Sequence, residues 1–178
     1  NEINRAPPEL KQAHPLGKSP IVEDGVHKIA ESGAAVDYLI RTYGGGKYIP
    51  APSAAVFEKY NEWMHYAEGS AMVPFLMKLF TSMLGEGGEP LQPVIDAEIA
   101  LHLGYMNDEL GKKPFFMGDE LTGADIMLTF ICEAADSRIG LDGYDNLSAY
   151  VQRMHDRPAY QRGLEKGGPY ELIRTRTD

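Results

Sequence analysis

Few residues in this chain have types and spacings that could do chemistry. Glu31 and Ser32 stand at the entrance of a helical run, "GAAVDYLI". A helix N-terminus carries unpaired N–H groups and partial positive charge, so it attracts a carboxylate or phosphate. A serine hydroxyl adds a donor there, and a neighbouring carboxylate could hold an ammonium group. Together they suit the zwitterionic end of an amino acid. The plainer reading is that Ser32 only caps the helix, a common use of serine. Ser19-Pro20 is the second feature. A proline entering a strand cannot donate to the ladder, so it belongs at an edge or at the first strand position. A cis bond there would turn the Ser19 backbone outward, towards an extended ligand. A trans edge proline is the commoner case, because only about 5–6% of X-Pro bonds in folded proteins are cis.

The remaining candidates are weaker. Histidines stand at 14, 27, 65, 102 and 155, and none is paired with another His or Cys at metal-ligand spacing. No metal site is expected. The single cysteine, Cys132, lies in the apolar run "LTFICEAA" and reads as a buried, inert thiol. Tyr60, Trp63 and Tyr66 cluster on one helical segment. Core packing is their default role, and an apolar binding wall is the alternative. No P-loop, G-x-G-x-x-G, G-x-S-x-G or H-E-x-x-H motif occurs.

The elements that must position these residues fall into two parts. "APPELKQAHPLGKSP" allows one short helical turn after the double proline. "PIVEDGVHKIAE" reads as a hairpin, with Ile21 and Val22 leading into Asp24-Gly25 and residues 26–29 returning. Such a hairpin is too short to be stable alone, and no other segment reads convincingly as a strand. From Ser32 onward the pattern is helical. Val36, Leu39, Ile40 and Tyr43 form a stripe ending at Gly44-Gly45-Gly46. Ser53 is placed to cap a long helix carrying Phe57, Tyr60, Met64, Ala67 and Ala71, which Pro74 should kink or break. Ile95, Ile99, Leu103, Met106 and Leu110 mark a second long helix. Thr122 and Asp125 open a third in capping-box spacing. A helix over about 146–156 and a last one from Pro158 complete the chain. The expected organisation is an α/β piece over 1–44, a linker over 45–51, and an all-α helical bundle over 52–178.

Composition narrows the function class. The 178 residues are 43% apolar and 24% charged, with a formal net charge of −9, ordinary for a soluble globular protein. An acidic chain without clustered Lys and Arg argues against nucleic acid or an anionic membrane as partner. One cysteine excludes an intrachain disulfide and fits a reducing compartment. No apolar run approaches the ~18 to 20 residues of a membrane span. A soluble, cytoplasmic protein is expected.

The combination "APPELKQAHPLGKSPIVEDGVHKIAESGAAVDYL" resembles the later half of the thioredoxin-like domain of cytosolic glutathione transferases, in a fungal and bacterial branch. "FMGDELTGADIML" is similar to that family's capping-box segment, and the resemblance covers almost the whole chain. It implies that Pro20 is a cis-proline and that Ser19 offers its backbone to the cysteinyl part of glutathione. Glu31 and Ser32 would hold the γ-glutamyl end. Lys18 could pair with the glycyl carboxylate, and His14 could line the same end. Ser19 departs from an apolar preference of the family, although backbone contacts need no particular side chain. The family's domain begins strand–helix–strand, and those residues have no counterpart here. They carry the Tyr, Ser or Cys that contacts the sulfur, so no catalytic residue is assigned, not even Arg5 or His14, and the chain as given is expected to be inactive. The implied activity is presentation of the glutathione thiolate to an apolar electrophile, with Tyr60, Trp63 and Tyr66 as candidates for the electrophile's wall. The implied state is a homodimer. A non-catalytic glutathione-transferase-like module, or a glutathione-dependent reductase or peroxidase, is the alternative.

Overall fold

The computed structural model describes residues 8–168, Tyr170 and Leu172; Arg5 lies outside them. A short helix α1 (Pro8–Ala13) leads into the hairpin of β1 (Ile21–Asp24) and β2 (His27–Ala30), and then into α2 (Ser32–Tyr43). The helical part follows as α3 (Phe57–Tyr66), a π-helical turn (Ala67–Ala71), α4 (Met72–Ser82), a 3-10 segment (Gly85–Leu91), α5 (Gln92–Leu110), α6 (Gly123–Arg138), α7 (Asp145–His155) and α8 (Pro158–Gly167). An α/β piece is thus followed by a helical domain.

The hairpin is antiparallel with Ile21 opposite Ala30 and Asp24 opposite His27. Val26 belongs to the turn rather than to β2 and is 96% exposed. Among the described residues β1 and β2 are the only strands of the sheet. The hairpin is held instead by α2. The Asp24 carboxylate accepts hydrogen bonds from the Tyr38 hydroxyl, at 2.7 Å, and from the Tyr43 hydroxyl. This corrects the expected stripe of α2. Leu39 and Tyr43 face outward, at 42% and 65% exposure, while Ala35 and Ile40 are the buried residues. The first turn of α2 lies against Met64 of α3 and Met127 of α6 at Gly33.

Three further expectations shift. Ser53 does not cap α3, because residues 51–56 form successive turns: Ala54 N–H donates to the Ala51 carbonyl and Phe57 N–H to that of Ala54. The break before α4 is the π-helical turn, directly ahead of Pro74 rather than at it. Ser32 is the first residue within α2, and Glu31 is the cap position, with no side-chain capping bond.

The core lies in the helical part. Ile95, Ile99, Leu103, Met106 and Leu110, the predicted stripe of α5, are all buried. They share one core cluster with α6, the most deeply buried helix, whose Leu128, Ile131 and Cys132 are fully buried. Its N-terminus is a capping box. The Asp125 carboxylate accepts the Thr122 N–H at 2.8 Å and the Phe116 N–H at 2.9 Å, so one side chain caps the helix and anchors the preceding loop. At the far end of α6 the buried Glu133 accepts bonds from His155, Tyr160 and Tyr170, tying α7 and α8 to α6.

Candidate functional site: a cleft at the start of α2

The hairpin register brings the two halves of the candidate site together. Ile21 pairs with Ala30, so Pro20 and Glu31 are the next residues outward on their respective strands. Neighbouring strands lie about 5 Å apart. The Ser19-Pro20 peptide bond is cis. Spacing alone favoured a trans edge proline; the resemblance pointed to the isomer found. Lys18, Ser19 and Pro20 are exposed. The His14 ring accepts the Leu16 N–H at 3.4 Å and so is engaged in the turn that precedes them.

Glu31 has φ 72° and ψ 127°, a left-handed backbone that non-glycine residues seldom adopt. Such strain concentrates at binding and catalytic positions. The turn swings the chain from β2 directly into α2, with Glu31 at the cap position and Ser32 as the first helical residue. Neither side chain has a hydrogen-bond or ion-pair partner among the described residues.

Both residues line a cavity of about 640 Å³ between α2 and α3. Tyr60, Met64 and Phe57 form much of its apolar wall, and Met127 of α6 contributes from below. The polar groups facing it from α3 and the π-helical turn are Asn61, His65 and Glu68. His14, Lys18, Ser19 and Pro20 are not part of this lining; they stand at the open end of the hairpin, next to it in register.

Tyr60 is 2% exposed, and its hydroxyl has no hydrogen-bond partner. Burial, and after it the Asp37 carboxylate, push that phenol up to about 12, so it stays protonated at neutral pH. Trp63 and Tyr66 do not reach the cleft. Trp63 is fully buried between Tyr105, Tyr66 and Phe116, with ring centroids 5.1–5.4 Å apart. Tyr66 faces α5 instead and bonds His102 Nδ1 at 2.7 Å. The reason is helical geometry. At 3.6 residues per turn, positions six apart lie about 120° apart around the axis. Tyr60 and Tyr66 therefore serve opposite sides of α3. The same periodicity extended in the other direction, from Tyr60 to Met64 and Glu68 and from Asn61 to His65, is the signal that would have found the missed lining residues.

Cys132 is no nucleophile here, since full burial holds its thiol well above the usual range. Among the described residues, no group of three or more His, Cys, Asp or Glu is placed to hold a metal. No described helix is long and apolar enough to cross a membrane.

Comparison with known proteins decides the family. The glutathione S-transferase N-terminal domain model matches residues 1–41, and the C-terminal domain model matches residues 89–153. Glutathione S-transferase 3 of Schizosaccharomyces pombe is 33% identical, across 91% of this chain and 73% of that protein. The chain belongs to the glutathione S-transferase family. Glutathione S-transferase 1 of Saccharomyces cerevisiae is 27% identical across 91% of the chain and 79% of its own length. A solved glutathione S-transferase structure from Actinobacillus pleuropneumoniae superposes with a TM-score of 0.80 at 29% identity, covering 97% of this chain and 80% of that one. The N-terminal match ends inside α2, so it takes in the hairpin, the cis-proline and the Glu31-Ser32 turn.

Proposed function

We propose that the cleft binds glutathione and that the protein presents its thiolate to an electrophile. Residues 1–44 would be the glutathione-holding half, 45–51 the linker and 52–178 the helical domain that receives the electrophile. The observation that carries this reading is the strained Glu31-Ser32 turn, set beside a cis-proline and opening onto a cavity. Ser19 would offer backbone N–H and C=O to the cysteinyl residue in strand-like pairing. The α2 N-terminus and Ser32 would take the γ-glutamyl carboxylate, and Glu31 its ammonium. Lys18, an exposed cation without an ion-pair partner among the described residues, suits the glycyl carboxylate. His14 holds the turn that carries Lys18. A free thiol has a pKa near about 8.5, so binding must favour the thiolate for conjugation to be fast at neutral pH. None of the residues around the cleft is assigned that task.

Relationship to the fungal glutathione S-transferases supports a cytoplasmic enzyme. A homodimer is supported by α4. Val73, Leu76, Met77 and Phe80 recur at helical spacing and are 41–59% exposed, an apolar stripe suited to a second copy. A monomer in sedimentation at micromolar concentration would remove that part of the proposal. The glutathione reading is tested by retention on glutathione resin. The double variant Glu31→Ala, Ser32→Ala should pass through unretained while keeping the melting temperature of the parent. Retention equal to the parent's would refute the assignment. Retention without turnover of any electrophile would favour the alternative, a non-catalytic binding module.

A further inference from the structure

We infer that α8, together with the chain at Tyr170, is a detachable strap, and that the buried Glu133 carboxylate is the latch that holds it against α6 and α7. The inference does not depend on what the cleft at the start of α2 binds.

Packing is the first observation. α7 buries Leu147, Tyr150, Val151 and Met154, whereas no residue of α8 is fully buried. A cavity of about 290 Å³ lies along α8, bounded by Leu164, Tyr160, Tyr170 and Glu133. The last three also line a second cavity, of about 510 Å³, with Ile126 and Phe130 of α6. A helix flanked by voids gains little from dispersion contacts. Its own sequence adds little either. Gly163 and Gly167 lower its helix propensity, and packing does not require them, since a Cβ at either would meet nothing within 4 Å. The second observation is what holds α8 instead. Glu133 is buried on α6 and accepts the Tyr160 hydroxyl of α8 and the Tyr170 hydroxyl, the latter at 2.7 Å. His155 Nε2 of α7 lies 2.9 Å from the same carboxylate, and its ring stacks on that of Tyr160, with centroids 4.7 Å apart. The exposed Gln161 amide adds a bond to the His155 carbonyl at 2.7 Å. Hydrogen bonds to an ionised carboxylate are roughly twice as strong as neutral ones, so loss of one charge weakens all three at Glu133 together.

The charge of Glu133 is therefore the control. Burial alone would raise its pKa, but the bonds from His155, Tyr160 and Tyr170 outweigh burial and hold the carboxyl below its usual range. A carboxyl lowered in this way stabilises docking above its free value, and that contribution is lost as pH falls through the docked value. The strap loosens as pH falls below about 4.3, the usual glutamate value. The other titratable or charged groups near Glu133 are Arg157, which lines the same cavity, and Cys132 and Asp136 of α6. Burial keeps the Cys132 thiol protonated. Asp136 also titrates in acid, and Glu133→Gln separates its contribution. Undocking removes the wall that the two cavities share.

Hydrogen exchange read by mass spectrometry on peptides from α8 and α5 tests this. At neutral pH, Glu133→Gln should speed α8 exchange by roughly 10- to 100-fold and leave α5 within about twofold. Tyr170→Phe removes one donor and leaves the carboxylate in place. It should speed α8 exchange by about 10-fold, again without moving α5. Between about pH 7 and about pH 4, after correction for intrinsic exchange, the parent's α8 should gain about threefold relative to α5, and Glu133→Gln should lack this gain. Unchanged α8 exchange in either variant overturns the inference. So does equal acceleration of α8 and α5, which would make Glu133 an ordinary part of the global core, and so does an equal acid response in the parent and Glu133→Gln. If Glu133→Gln does not fold, the α8 and α5 readings of Tyr170→Phe decide by the same criteria.

Discussion

The hairpin with α2 and the helical part are built on opposite terms. From residue 8 to residue 44 only Ala35 and Ile40 are buried. In the helical part, α6 alone buries Leu128, Ile131, Cys132 and most of its length. A hairpin of two four-residue strands cannot stand on its own sheet. It borrows stability from α2, and α2 borrows it from α3 and α6. The features proposed to bind glutathione sit where that debt is largest, at the turn between β2 and α2. Strain at Glu31 and unpaired polar groups at Ser32 and Glu68 are tolerable there because the buried helices next door supply the stability. A binding surface and a stabilising core are thus separated by one helix, α3, which serves both on different faces.

The sharpest way to break this comparison is Trp63→Ala. If α3 divides its faces as described, removing Trp63 costs the whole molecule about 3–5 kcal/mol in a denaturant titration. A loss under about 1 kcal/mol would put Trp63 outside the core and reopen its place in a ligand wall. Asp125→Ala is next. It strips an acceptor from the N–H groups of Phe116 and Thr122, and should cost about 3 kcal/mol. Gly123→Ala examines the seam between the two regions. A Cβ there would lie 2.6 Å from the Tyr60 hydroxyl and 2.8 Å from Ile40 Cδ1, so the Tyr60 ring and the Ile40 side chain, which join α3 and α2 to α6, must shift. The expected loss is about 1–3 kcal/mol. It should come with weaker retention on glutathione resin, whereas Asp125→Ala should leave retention intact at temperatures where the variant is folded. Equal effects of the two variants on retention would mean that the seam does not position the cleft.

The smallest effect concerns the hairpin latch. Hydrogen bonds from Tyr43, and then from Tyr38, hold the Asp24 carboxyl below its usual range. A carboxyl lowered on folding contributes stability above its unfolded value and loses it as pH falls through the folded one. Urea titrations between about pH 6 and about pH 2 should therefore show a shallower acid decline for Asp24→Asn than for the parent. Identical acid limbs would mean that the two tyrosines do not fasten the hairpin.

Much of the helical part was legible because its signals are local. The α5 stripe from Ile95 to Leu110 repeats at three and four residues, and each of its members is buried. Thr122 and Asp125 announce the start of α6 three residues apart in the chain. The hairpin was legible from Asp24-Gly25, with its second strand displaced by one residue because Val26 joins the turn. Failures arose where a long-range contact overrode a local pattern. Leu39 and Tyr43 extend the apolar stripe of α2 on paper, yet Tyr43 turns outward to reach Asp24, nineteen residues earlier.

The sequence by itself determined that an α/β hairpin unit precedes a bundle of helices, and that Glu31-Ser32 opens a helix near a proline-led strand. Those properties follow from residue preferences acting over a few positions. Only the tertiary structure decided what stands opposite Glu31. The register of the hairpin brought Pro20 alongside it, and the docking of α2 against α3 placed Met64, His65 and Glu68 across the cavity while turning Trp63 and Tyr66 away. Which face of a helix meets which partner depends on packing between segments far apart in the chain, and no window of neighbouring residues contains that information.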